Sequence, residues 1–185
     1  MPMESTHAKK SIVELARLSS EEYRRLRKLP VRVMADSVRS MHNIGAIFRT
    51  ADAFRMDSVV LCGISGRPPH PDLHKTALGA ENTVEWTYAP DALAEARRLR
   101  AEGWKICVVE QTAGSIPLAE YEPASDERYV IVMGNEVEGV AQAIADEADV
   151  VLEIPQEGTK HSLNVSVCAG IVMWHFYSHL ASAAE

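Results

Sequence analysis

The sequence lacks the features that mark secreted, membrane-spanning or disulfide-stabilised proteins. Its 185 residues include three cysteines, an odd number without a CxxC spacing, so neither a disulfide nor a thiol nucleophile is expected. Apolar runs such as residues 129–133 are far too short to span a bilayer, and the polar stretch 1–10 has no signal-peptide core. These absences predict a cytoplasmic globular protein. The cysteines stand among apolar residues and are predicted to be buried small hydrophobes: Cys62, Cys107 and Cys168.

Several common ligand-binding signatures are missing as well. There is no GxGxxG sequence, so the glycine loop of dinucleotide-binding folds is excluded. Gly134 and Gly139 have the interval of a P-loop, but Val140 and Ala141 follow where Lys and Ser or Thr are required. Two histidine pairs have i, i+4 spacing without further ligands completing a site, so packed or solvated side chains are preferred and no metal is predicted: His70/His74 and His175/His179.

Positive charge is scarce except near the beginning of the chain. The net charge is −7, yet residues 8–32 hold eight basic and three acidic residues, which makes that segment +5 and the remainder −12. A basic arm on an acidic body suggests a localised contact with a polyanion, although on the charge pattern alone a solvated helix is the better interpretation. The basic residues at the end of this arm are the predicted contacts: Arg24, Arg25, Arg27 and Lys28.

Helical and strand-like segments alternate along the chain, which predicts an α/β fold with a mostly parallel sheet flanked by helices. Apolar spacing and capping residues predict helices at 11–28, 43–54, 91–101, 140–148 and 163–180. Short β-type runs predict strands at 31–34, 58–62, 105–110, 129–133 and 150–154. We therefore expect a basic helical arm over 1–30 and one domain over 31–185.

The last predicted helix is apolar nearly all the way round between residues 170 and 177. A helix that is apolar on every side requires burial on every side. A second subunit would cover its outer face, so this segment predicts a homodimer.

Three segments combine polar residues with strand or helix boundaries. The helix at 43–54 places Asn43 at the expected N-cap and Arg49 off its apolar stripe. Residues 132–139 have the form strand, glycine, polar pair, glycine, helix, which suits a ligand at the carboxyl end of a strand, although an ordinary tight turn fits equally. Ser162 and Asn164 precede the last helix, where they could cap it or line a pocket.

Taken together, in this order, these segments resemble the SpoU/TrmH branch of the SPOUT superfamily of RNA ribose 2′-O-methyltransferases. The resemblance covers residues 31–177. The first family motif, N-x-G-A-x-x-R-T-A, corresponds to 43–51, and the second, G-N-E-x-x-G, to 134–139. The third, I-P followed by S-L-N-V-S, corresponds to 154–155 and 162–166, and 75–80 is similar to the family segment before its third strand.

The resemblance implies a fold whose C-terminal part is threaded into a deep trefoil knot, which general topology rules would not suggest. It also implies S-adenosylmethionine as the cofactor, held against the knot loops rather than by a glycine-rich loop. By position in the motifs, the residues that would contact this cofactor are Gly134, Asn135, Ile154 and Leu163, and Gln111 at the end of the preceding strand is a further candidate.

The same resemblance assigns catalytic roles. Arg49 matches the arginine that the family places at the reacting ribose, and because guanidinium holds its proton strongly, we expect it to bind phosphate and stabilise alkoxide charge rather than act as a base. Asn43, Ser162 and Asn164 are expected to position Arg49 and the ribose, and Glu136 to anchor the motif loops.

The family usually builds its active site across a dimer, in agreement with the apolar last helix. Many members carry a separate RNA-binding domain, in whose place this chain has the basic arm, so the RNA partner is left open between tRNA and ribosomal RNA. A noncatalytic RNA-binding or ribosome-assembly factor on the same fold is the alternative function. A small-molecule nucleotide-binding protein is a further alternative, but it would not require the basic arm.

Overall fold

A central parallel sheet organises the protein. The computed structural model describes residues 9–10, 18–160 and 162–181. Its strands are β1 (Leu29–Asp36), β2 (Met56–Cys62), β3 (Glu85–Ala89), β4 (Lys105–Val109), β5 (Ile116–Pro117), β6 (Tyr129–Met133) and β7 (Val150–Glu153). All pairings between them are parallel, in the order β3-β2-β1-β6-β4-β7-β5. The predicted α/β class is confirmed.

Helices connect the strands and cover both faces of the sheet. They are α1 (Ser20–Arg25), α2 (Met41–Ala53), α3 (Pro71–Ala77), α4 (Ala92–Ala101), α5 (Gln142–Asp146) and α6 (Val165–Leu180). The central strand β6 shows the layering, because all five of its side chains are buried and alternate between two apolar clusters. Tyr129 and Ile131 belong to the cluster under α2 and α6, whereas Val130 and Val132 belong to the cluster under α4 and α5.

The five strands predicted from sequence are β1, β2, β4, β6 and β7, and the two missed strands lie at the edges of the sheet. In β3 the side chains are exposed or half-buried, so the sequence has no apolar run or clean alternation that would predict this strand. The second missed strand, β5, has only two residues, paired to β7. Edge strands need bury less side-chain surface, which weakens their sequence signal.

The helix boundaries differ from the predictions at two informative places. The N-cap of α2 is Ser40, whose hydroxyl accepts a hydrogen bond from the backbone N–H of Asn43, so the assignment of Asn43 as the cap was wrong. The asparagine side chain is thereby free for other contacts. Helix α1 begins after the cap Ser19, which forms a reciprocal capping box with Glu22. Residues 11–17 of the predicted helix 11–28 lie outside the described residues.

Close packing explains the glycine of the first motif. A Cβ at Gly45 would collide with the Thr76 side chain and the Leu73 carbonyl oxygen, so the absence of a side chain lets α2 approach the unpredicted helix α3. This contact holds α2 rigidly beside the carboxyl ends of the strands.

Helix α6 is buried on one side only. Val172, Met173 and Phe176 lie in the core, whereas Val167, Ile171 and Trp174 keep 52%, 39% and 55% of their surface exposed. The spacing of the exposed three residues places them along one side of the helix. Among the described helices, none is long and apolar enough to cross a membrane.

Candidate active site

A cavity of about 480 Å³ opens at the carboxyl ends of β4, β6 and β7. This is the edge at which ligands bind in open parallel sheets. Three loops enclose it, following β4, β6 and β7 respectively. The structure brings all five predicted cofactor residues to this cavity, together with three of the predicted catalytic residues: Gly134, Asn135, Ile154, Leu163, Gln111, Glu136, Ser162 and Asn164.

The loop after β6 is a tight, internally bonded turn. The backbones of Asn135 and Gly139 exchange two hydrogen bonds of 3.1 Å, and the Asn135 side-chain oxygen accepts from the N–H groups of Val137 and Glu138. A Cβ at Gly134 would collide with the backbone of Gly139 and Val140. Gly134 is therefore required by the turn's own backbone, before any ligand is considered.

Glu110, at the end of β4, supports this turn and was not predicted. Its carboxylate accepts hydrogen bonds from the N–H of Val140 at 3.1 Å and of Gln111 at 2.9 Å. Gly139 has a φ of +72°, and a Cβ there would collide with the Glu110 carboxylate. An acidic residue directly after a buried strand was the only sequence signal for this role, because the partner N–H groups come from a distant loop.

The three motifs meet in one hydrogen-bond network centred on Asn43. Its side-chain nitrogen donates to a Glu136 carboxylate oxygen at 2.9 Å, and its side-chain oxygen accepts from the Asn164 side chain at 3.1 Å. Asn164 also caps α6, since its oxygen accepts from the N–H groups of Ser166 and Val167. Residues that are 93 and 121 positions apart in the sequence are thus joined directly.

Glu136 is held in its charged form by this network. Burial raises the pKa of its carboxyl, but hydrogen bonds from the Asn43 side chain and from the backbone N–H groups of Ser40 and Arg39 outweigh that effect. The net result is a pKa below the usual 4.5. The helix dipole of α2 also stabilises a negative charge at this position, beside the amino-terminal end of the helix. The expectation that Glu136 anchors the motif loops agrees with these contacts.

Arg49 lies away from the cavity and from the network at its rim. It is six residues after Asn43 on α2, which corresponds to about 9 Å along the helix axis and a different side of it. Its exposed side chain lines a separate groove that also includes Tyr23 and Arg55. Within a single chain, the described structure therefore does not bring the predicted catalytic arginine to the cavity.

The four predicted RNA-binding residues of the arm differ in their surroundings. The Arg24 guanidinium donates to the Asn82 carbonyl oxygen at 2.6 Å, and Arg25 pairs with Glu21 one turn away. The Lys28 ammonium donates to the Tyr23 carbonyl oxygen and lies 3.1 Å from the centroid of its ring. Arg27 is exposed. Arg24 therefore joins α1 to a distant segment, the Arg25 and Lys28 contacts are local, and Arg24, Arg25 and Arg27 remain solvent-accessible.

Comparison with known proteins agrees with this geometry. A model of the SpoU rRNA Methylase family matches residues 30–174, which include every motif and the whole described lining of the cavity. The chain belongs to this family. Within it, the "23S rRNA (guanosine-2'-O-)-methyltransferase RlmB" of Vibrio vulnificus is 31% identical over 146 residues, covering 78% of this chain and 58% of that protein. The chain thus spans little more than half of that relative's length.

A second relative is named for a different RNA, and two solved structures provide a structural comparison. The "tRNA (guanosine(18)-2'-O)-methyltransferase TARBP1" of Mus musculus is 29% identical over 145 residues, which are 78% of this chain and 9% of that protein. The crystal structure of the A. aeolicus TrmH/SpoU tRNA modifying enzyme superposes with a TM-score of 0.79 at 26% identity, covering 89% of this chain and 82% of that one. The AdoMet-bound rRNA methyltransferase of Sinorhizobium meliloti has a TM-score of 0.76 at 29% identity, over 84% and 62% of the two chains.

Proposed function

We propose that this protein transfers a methyl group from S-adenosylmethionine to a ribose 2′-hydroxyl of RNA. The observation that carries the proposal is the network that joins Glu136, Asn43 and Asn164 at the rim of the cavity. The three motifs of the family contribute one residue each to it. Relatives named as RNA 2′-O-methyltransferases support the reaction type.

The cavity fits S-adenosylmethionine in size and charge. About 480 Å³ lies within the range of roughly 300–1,000 Å³ that is usual for small-molecule sites. Its described lining includes four carboxylate residues and no lysine, arginine or histidine, so it favours a ligand with a positively charged group: Glu110, Glu136, Glu138 and Glu153. The AdoMet-bound relative from Sinorhizobium meliloti supports the same assignment. The loops that would form the implied trefoil knot are those that enclose this cavity.

The chemistry divides between the cofactor and the chain. When bound, the sulfonium supplies an already activated methyl group, so the protein must orient the ribose and stabilise charge on its 2′-oxygen. The guanidinium of Arg49 would bind the adjacent phosphate and the developing alkoxide, because it donates several hydrogen bonds and retains its proton. Asn43, fixed between Glu136 and Asn164, holds the motif loops at the geometry in which Ser162 can reach the ribose.

A homodimer would bring Arg49 to the cavity of the opposite subunit. The exposed apolar side of α6, formed by Val167, Ile171 and Trp174, offers a surface for a second copy. The Trp174 ring lies 5.6 Å from the ring of Phe54 at the end of α2, so this surface continues toward the helix that carries Arg49. We propose that α6 pairs with a second copy of the chain and that the complete active site is shared.

The RNA partner is proposed as ribosomal RNA or tRNA, since relatives named for each kind match 78% of the chain. The arm over 1–30 is proposed to contact this RNA, and the exposed Arg27 is one of its described cations. A cytoplasmic location remains a prediction. The alternative, a noncatalytic RNA-binding factor, would need no intact network at the cavity rim.

Incubation with labelled S-adenosylmethionine tests the proposal. The full chain is mixed with separated tRNA and ribosomal RNA pools, and the RNA is then digested and its nucleosides mapped. A labelled 2′-O-methylated nucleoside in one pool is the expected result. RNA binding without any transfer, in a protein that binds the cofactor, would favour the noncatalytic alternative.

A further inference from the structure

A second opening, separate from the cofactor cavity, lies between α1, α2 and the turn at residues 77–83. It is an open groove of about 670 Å³, and Tyr23, Arg49, Asp52 and Arg55 are among its lining residues. The cofactor does not account for it, because the described lining of the cofactor cavity shares no residue with it. It holds the one predicted catalytic residue that neither lines the cavity nor joins the network at its rim.

Tyr23 lines this groove and carries a hydroxyl group that no described residue uses. The residue is only 7% exposed, and its hydroxyl is buried without a hydrogen-bond partner in the described structure. Buried hydroxyls are ordinarily paired, so an unpaired one on a residue that lines an opening suggests a missing partner. Burial raises the pKa of Tyr23, and the nearby Asp52 carboxylate raises it further, so the hydroxyl stays protonated and available as a donor.

Two guanidinium groups line the same groove. Neither Arg49 nor Arg55 takes part in an ion pair with a described residue. The carboxylate of Asp52 already accepts a hydrogen bond from the Thr83 hydroxyl at 2.7 Å. The groove thus offers two planar cations and one phenolic donor against a single, partly satisfied carboxylate. That donor set suits phosphate oxygens, which guanidinium binds through paired hydrogen bonds.

We propose that this groove binds the phosphate backbone of the RNA strand that flanks the reacting nucleotide, with Tyr23 and Arg55 as phosphate-binding residues beside Arg49. The inference rests on the proposed function, in which Arg49 reaches the reacting ribose. A strand held there must pass the carboxyl-terminal end of α2, and Arg55 lies just beyond that end, six residues after Arg49. Tyr23, which belongs to the arm, then contributes a hydrogen bond to RNA, whereas the exposed basic residues of the arm contribute charge.

RNA binding by Tyr23→Phe and Arg55→Gln tests this assignment. Phenylalanine keeps the packing of Tyr23 and removes only its hydroxyl, so the melting temperature is expected to stay the same or rise. Each variant is expected to bind RNA about tenfold more weakly in filter-binding titrations, because a hydrogen bond to a charged oxygen is lost. The affinity for S-adenosylmethionine, measured by calorimetry, is expected to be unchanged. Arg97→Gln is the matched charge control, since Arg97 lies on α4 over the opposite face of the sheet.

A neutral linkage in the RNA identifies the contact as one to phosphate. A short synthetic RNA receives a single methylphosphonate at one position after another. One linkage is expected to weaken binding by the wild-type chain and to have no further effect on Tyr23→Phe or Arg55→Gln, because the contact is already lost. Unchanged RNA affinity in both variants, or full additivity with every linkage, would overturn the groove assignment.

These measurements separate the two proposals. A wild-type protein that binds RNA but transfers no methyl group contradicts the proposed function. The groove assignment can still be tested in that case, because its readout is the RNA affinity of the Tyr23 and Arg55 variants. Wild-type transfer together with wild-type affinity in both variants contradicts only the groove. A wild-type chain without affinity for any RNA contradicts both.

Discussion

Replacing Asn43 by alanine should disconnect the three motifs, and the size of the effect follows from the contacts that are lost. The hydrogen bond from Asn43 to the ionised Glu136 spans 2.9 Å, and a bond of this type is worth about 1.5–3 kcal/mol. Since this contact is accessible to solvent, we expect the lower end of that range. The bond from Asn164 joins two neutral groups at 3.1 Å and adds about 0.5–1.5 kcal/mol.

A combined loss of about 2–3 kcal/mol corresponds to a decrease in turnover of roughly 30- to 150-fold, if the network is needed in the transition state. A double-mutant cycle of Asn43→Ala, Glu136→Ala and the double variant isolates the direct contact. The two changes are expected to be less than additive by about 1–2 kcal/mol, because either one alone breaks the same bond. The assay is single-turnover transfer from labelled S-adenosylmethionine at saturating RNA.

Ser40→Ala is the matched control for this cycle. It removes the hydroxyl that caps α2, so it should cost about 0.5–2 kcal/mol of stability while the Asn43 side chain keeps both partners. A lower melting temperature with nearly unchanged turnover is expected. Full additivity of the Asn43 and Glu136 changes would refute the idea that Asn43 acts through Glu136, and would assign it directly to substrate.

Four further outcomes follow from the site. Arg49→Ala should retain cofactor affinity and lose about two orders of magnitude in transfer, with little rescue by lysine, and near-normal turnover would remove Arg49 from the mechanism. Gly134→Ala should deform the turn against Gly139, lowering both the melting temperature and calorimetric cofactor affinity, whereas a fully stable, binding variant would contradict the required close approach. Trp174→Glu should yield a monomer in sedimentation experiments if α6 forms the dimer, and an unchanged dimer would place the interface elsewhere. Because the pKa of Glu136 is lowered, the stabilisation from its charge is fully present above pH 4.5 and is lost as the pH falls below that value. Cofactor affinity is expected to fall over the same pH range in the wild type, and the pH dependence of that affinity is expected to be weaker in Glu136→Gln.

The interior of the fold could be predicted well because its signals are local. Strand β6 is a continuous apolar run that must be buried on both faces, and the alternation of such runs with helices leaves few arrangements besides a parallel sheet. The edge strands β3 and β5 escaped prediction, since partly exposed or very short strands carry little apolar pattern. Eight residues of the cavity lining were named from the sequence, and all but Gln111 came from the motifs, whose order along the chain is itself sequence information.

The sequence by itself determined the fold class, the family and eight of the residues that line the cavity. Only the tertiary structure decided how they are used: Asn43 bridges Glu136 and Asn164 instead of capping its helix, and Glu110 supports a turn formed by residues about thirty positions away. It also placed Arg49 in a separate groove with the unpaired hydroxyl of Tyr23. The physical reason is that caps, strands and helices depend on neighbours within a few residues, whereas a hydrogen bond between distant segments depends on how the whole chain packs.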